Sequence, residues 1–267
     1  MKYLTRLAAA MGLAALLFAL VGCDTTENAA EEPPTPAPLS AELFQIQTDL
    51  FKPGGGKVET KAHFTAAALR VWPVSLILSA NLVLPFAVTA AALTDQPSFE
   101  DGAWHWSATT QSGTDPYTFT LIAEPTIEGF DWTMRITGND PFTGSKIEEF
   151  DLYTAQTSFD GTMGSWQLYY RVNGARTNVL NATVDFSTTN KMLHFSIPEP
   201  FENAGDMVHY EVENDARRFL WQQVAEGFDH DVGWDAVTKE GSIVATNYNG
   251  GVEGCWDGNL EDVACDN

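Results

Sequence analysis

Residues 71–93 read VWPVSLILSANLVLPFAVTAAAL, 23 residues without a charge. Length alone would let such a run cross a bilayer as a helix. Three features favour the inside of a folded domain instead. Pro73 and Pro85 each remove a backbone donor, and Ser75, Ser79, Asn81 and Thr89 add polar side chains. The basic residues Lys57, Lys61 and Arg70 precede the run, whereas Asp95, Glu100 and Asp101 follow it, and no Lys or Arg comes before Arg135. A helix entering from outside the cytoplasm needs the opposite distribution. A run apolar nearly all round then belongs in a core, as one helix or as two broken near Pro85. The helical segment is predicted over 61–93, and its partner must be a large apolar surface.

That surface is legible from Trp104 onward, where the period becomes two. In FDWTMRIT (130–137) Phe130, Trp132, Met134 and Ile136 share one face; in WQLYYRV (166–172) Trp166, Leu168, Tyr170 and Val172 do. Such alternation marks antiparallel strands with one buried and one wet face. Weaker segments follow near 147–156, 178–187, 191–197, 206–213, 216–225, 232–239 and 242–248, separated by turn signals such as Asn173-Gly174. The expectation is a mainly β fold with an N-terminal helical segment. Roughly ten strands over 103–256 would form an antiparallel up-and-down barrel or half-barrel, with the apolar helices packed on or in its concave face. Residues 41–267 would be a single domain.

The chain opens MKYLTRLAAAMGLAALLFALVGC: a short basic head, an apolar stretch and small residues, the layout of a secretory signal peptide over 1–22. Leu20-Val21-Gly22-Cys23 resembles the lipobox of bacterial lipoproteins, which implies cleavage before Cys23 and attachment of acyl chains to it. Those chains would anchor the protein to a membrane. Residues 24–39, with four carboxylates and four prolines, continue from Cys23 as an acidic, Pro-rich tether over 23–40 that cannot bury enough surface to fold. Asp24 resembles the inner-membrane retention signal of enteric bacteria, a rule that other lineages do not share. The outer membrane is the expected location, on either of its faces.

Beyond Cys23, the chain has only Cys255 and Cys265, ten apart in a loop-rich tail; outside the cytoplasm such a pair forms a disulfide. The formal charge is −22, and loss of Lys2 and Arg6 with the leader takes it to −24. A chain this acidic repels nucleic acid and anionic head groups, and no basic patch reverses that. The lipobox, residues 62–93, Trp104 and Trp106, Ser165-Trp166, and Cys255-Trp256 with Cys265 together resemble envelope lipoproteins of Gram-negative bacteria. That group has no assigned activity, so the resemblance carries over no catalytic residues.

No catalytic signature is present: no GxSxG, no HExxH, no phosphate-cradling glycine loop. His209, Glu211 and Glu213 would share one strand face, where a solvated acidic row is a plainer reading than a metal site. GFDHDVGWD (227–235) reads as a Gly-bounded loop whose Asp229, Asp231 and Asp235 would suit calcium, against the plainer reading of an acidic turn. Asp257, Asn259, Glu261 and Asp262 form a similar group. The expected function is a non-enzymatic, membrane-tethered lipoprotein that binds a lipid or other hydrophobic molecule between sheet and helix, with Leu82, Phe86, Trp132 and Trp166 as walls. A structural or adhesive lipoprotein with a fully packed core is the alternative, and a metal-dependent hydrolase the third. A continuous cavity beside 71–93 would separate the first two. No protein partner is indicated.

Overall fold

The period-two pattern becomes strands in a computed structural model that describes residues 33–34, 44–52, 61–112, 115–139 and 146–265. The leader, Cys23 and nearly all of the tether lie outside the described residues. The strands are β1 (Ser98–Glu100), β2 (Ala103–Ser112), β3 (Asp115–Pro125), β4 (Gly129–Asn139), β5 (Lys146–Ser158), β6 (Met163–Val172) and β7 (Ala175–Asp185). They continue as β8 (Lys191–Ser196), β9 (Met207–Glu213), β10 (Ala216–Gln223), β11 (Phe228–Asp235), β12 (Gly241–Ala245), β13 (Gly254–Trp256) and β14 (Asp262–Val263). Each pairs with its neighbour in sequence, giving one antiparallel sheet of 14 strands in chain order.

Two expectations are corrected. The sheet is open, with β1 and β14 as unjoined edges, so it is not a closed barrel; and it has 14 strands where about ten were expected. The extra strands at the ends are only two or three residues long, too short to show alternation. Residues 228–235, read as a loop, are β11, and the strand placed at 232–239 is instead the end of β11 and its turn.

One row across the apolar face explains why the strands keep register. It reads Trp104, Ala123, Trp132, Ala155, Trp166, Ala182, Phe195, Val208 and Trp221, each opposite the next on the adjoining strand. Up to Ala182, large and small residues alternate, so within this row successive indoles are separated by an alanine. Such alternation lets a curved layer fill without clash. The next row, Trp106, Leu121, Met134, Tyr153, Leu168 and Leu180, is buried throughout.

A single helix, α1 (Ala62–Ala92), covers this face among the described residues. It crosses the strands, touching β11 to β14 in one part of its length and β2 and β3 in another. Ala67, Val71, Leu78, Leu82, Val88 and Ala92 face the sheet and are buried. The helix does not break at Pro85. Proline removes a donor and leaves the carbonyl four residues earlier unpaired; here that carbonyl belongs to Asn81, and the Tyr170 hydroxyl donates to it at 3.2 Å. Thr89 Oγ1 in turn donates to the Pro85 carbonyl at 2.8 Å, and Tyr153 bonds to Thr89 at 2.7 Å. Burial pushes the Tyr153 hydroxyl pKa up, so it stays a donor.

Burial on all sides, which the apolar composition suggested, is not what α1 shows. Leu69 (69% exposed), Leu76 (47%), Ile77 (62%) and Val83 (64%) point away from the sheet. One sheet offers one surface, and nothing among the described residues covers the far side.

Candidate functional site

The seam between α1 and the sheet is the place where the expected wall residues meet. Leu82 and Phe86 from α1 and Trp166 from β6 line one apolar cavity, together with Phe44, Pro85 and Tyr153. Trp132 does not reach it; its indole is buried and donates to Thr157 Oγ1 at 2.9 Å. The cavity measures only about 30 Å³, room for one water-sized group. A second space of about 130 Å³ opens at the edge of the helix between Val74, Ile77, Leu78, Phe195 and Trp221. Neither of these two spaces beside α1 has the volume that a bound lipid would need.

The cavity is small because a segment N-terminal to α1, residues 44–51, fills it. Phe44 and Ile46 alternate with exposed Gln45 and Gln47, and a 3-10 turn at Asp49–Phe51 follows. The Phe44 ring packs edge-on against Trp166 at 4.8 Å and lies tilted against Phe86 at 5.5 Å. Phe51 lies edge-on to Trp234 at 4.9 Å and stacks on Phe64 at 5.5 Å. The strap therefore runs antiparallel to α1, wedged between helix and sheet. Its sequence signal was the alternation of Phe44 and Ile46 directly after the tether. Beside it, Trp166 Nε1 is buried without a hydrogen-bond partner, alone in this among the described side chains.

The start of α1 is held by the C-terminal loop. Cys255 and Cys265 form the expected disulfide, with Cα atoms 5.3 Å apart. The loop it closes carries Asp262, whose two carboxylate oxygens accept the N–H groups of Ala62 (3.0 Å) and His63 (2.9 Å). Those are orphan donors of the first helical turn, and a carboxylate there also opposes the positive end of the helix dipole. Lys61 Nζ donates to the Asn259 carbonyl at 2.9 Å, and the His63 ring shares a hydrogen bond with the Tyr248 hydroxyl at 2.8 Å. Gly254 is needed under that ring: a Cβ there would lie 2.2 Å from His63 Nδ1.

The acidic groups weighed for metal are engaged otherwise. On β11, Asp231 pairs with Arg218 at 2.7 Å, Asp229 accepts from Gln222 at 3.2 Å, and Asp235 accepts the N–H groups of Val237 and Thr238. Those last two bonds pull the Asp235 carboxyl pKa down. Alternate residues of one strand lie well apart and cannot encircle a calcium ion. Asp257 likewise accepts N–H groups of Asn259 and Glu261 within its own turn. His209 and Glu211 do share a face and bond to each other at 2.9 Å, with His194 directly opposite His209. Glu253, Cys255 and Cys265 bring ligand atoms within 4.8 Å of one another, but the disulfide consumes both sulfurs.

The site thus consists of an antiparallel sheet, one helix lying across its apolar face and a strap sealing the seam. No protein-family model matches the chain, and no curated protein or solved structure matches it either.

Proposed function

We propose that the protein is a lipid-anchored, non-enzymatic lipoprotein of the bacterial envelope that works through the surface it displays. The observation that carries this reading is the filled seam: Phe44, Leu82, Phe86 and Trp166 leave a space of only about 30 Å³. Acylated Cys23 would hold it to the membrane, expected to be the outer one, with residues 24–40 as spacer. In this proposal the sheet forms a half-barrel with α1 on its concave side. Dimensions support it: α1 is roughly 46 Å long at 1.5 Å per residue, whereas the span from β2 to β14 laid flat is roughly 58 Å. A helix that touches strands near both ends needs the sheet to twist and curl around it.

A second reading, the carrier of a hydrophobic molecule, keeps one observation in its favour. Three of the four expected wall residues converge on an apolar space that Phe44 occupies. Metabolic labelling with palmitate, followed by native mass spectrometry, tests both. The packed-core reading expects label that disappears in Cys23→Ser, and a purified chain carrying no small molecule. Retained lipid would restore the carrier; absence of label on the wild-type chain would remove the anchor.

A further inference from the structure

The packed core does not explain the outward side of α1. Leu69, Leu76 and Val83 recur every seven residues along it, with Ile77 alongside, Ala80 exposed between them and Ala87 and Ala90 exposed beyond. Seven residues are nearly two helical turns, so these side chains form one stripe. No charge occurs from Val71 to Thr94. The charged residue at its near end, Arg70, is turned inward, donating to His230 Nδ1 at 3.0 Å and to Asn247 Oδ1 at 2.7 Å.

We propose that this stripe lies on the lipid surface to which the chain is tethered, with α1 parallel to the bilayer plane. Two observations select that occupant. The strap places the root of the tether at the helix itself, since Phe44 packs on Phe86. The chain from Cys23 to Phe44 can span at most roughly 70 Å. A tether rooted beside α1 leaves this face within reach of the membrane. The second observation is size: Leu69, Leu76, Ile77 and Val83 together expose roughly 400 Å², against the roughly 800 Å² per partner that a stable dimer buries. Apolar side chains on a surface helix enter the head-group boundary without spanning it. Because the rest of the protein is strongly acidic, the contact suits zwitterionic lipid and is weakened by anionic lipid.

The inference rests on the lipoprotein reading for proximity, but its test does not involve Cys23. Residues 24–267 contain the whole compact unit Pro36–Asn267 and carry no acyl chain. They should co-float with phosphatidylcholine vesicles, and less well when a third of the lipid is phosphatidylglycerol. Leu76→Glu with Val83→Glu should reduce co-flotation at least tenfold, while Ile127→Glu at a hairpin tip leaves it unchanged. Circular dichroism and the disulfide report the fold; if the double variant misfolds, Leu69→Gln and Ala87→Gln are read by the same criterion. The proposal is overturned if the unmodified chain does not float, if the helix variants float equally well, or if light scattering finds a dimer that the variants dissociate. Failed palmitate labelling with successful flotation would remove the anchor and leave the lipid-binding face standing.

Discussion

At the scale of single residues, buried polar groups show how an apolar helix is seated uniquely. His230 receives a hydrogen bond from Arg70 at Nδ1, so its proton sits on Nε2 and is donated to Gln223 Oε1 at 2.9 Å. Burial, and then the Arg70 charge, lower its pKa from the ordinary 6.5 to about 4, with Asp229 opposing. The unfolded chain therefore binds this proton between pH 6.5 and 4 while the folded chain does not, so stability falls as pH drops through that window. The loss is on the order of 3 kcal/mol when complete. Urea midpoints at pH 7, 5.5 and 4.5 should show this slope, and His230→Gln should flatten it. Tyr170→Phe should cost about 1–2 kcal/mol by leaving the Asn81 carbonyl unpaired. Pro85→Ala restores the helical donor to that carbonyl, so the double variant should lose less than the sum of the single changes. The helix was legible from composition and length. Its continuity through Pro85 was not, because the compensating hydroxyl lies 89 residues further along the chain.

At the scale of elements, α1 has no cap from its own sequence: Lys61 occupies the N-cap position, but its side chain makes no capping bond to the helix. Asp262 does that work from the disulfide loop. Asp262→Ala should lower stability by about 1 kcal/mol, and reduction of Cys255–Cys265 should make the same substitution almost silent, because the loop would no longer hold the carboxylate in place. The strap makes a comparable prediction. Phe44→Ala should cost about 3–5 kcal/mol and leave a cavity that takes up benzene or xenon, visible as a rise in melting temperature when either is added. The cysteine pair was readable from its spacing, but the pairing of its loop with the helix start was not, since contacts across 200 residues leave no local pattern. The strands were legible wherever apolar and polar residues alternate. GFDHDVGWD was misjudged because its two glycines and three aspartates imitate a turn, while the inward series His230, Val232 and Trp234 revealed the strand.

At the scale of the whole molecule, the strands of the sheet stand in the order in which the chain is made. Every hairpin joins consecutive segments, and the helix that they pack against precedes all of them in sequence. A chain emerging N-terminus first can therefore assemble progressively: strap and helix are present before the first strand, and each later strand adds to an edge that already exists. Local pairing of this kind forms quickly, whereas contacts distant in sequence wait for the intervening loop to close. Among the described residues, the hydrogen bonds most distant in sequence are those of Asp262 with the first turn of α1. They can form only after β2 to β13 have been made, so a helix that precedes the whole sheet is fixed at its start by residues that follow nearly all of it.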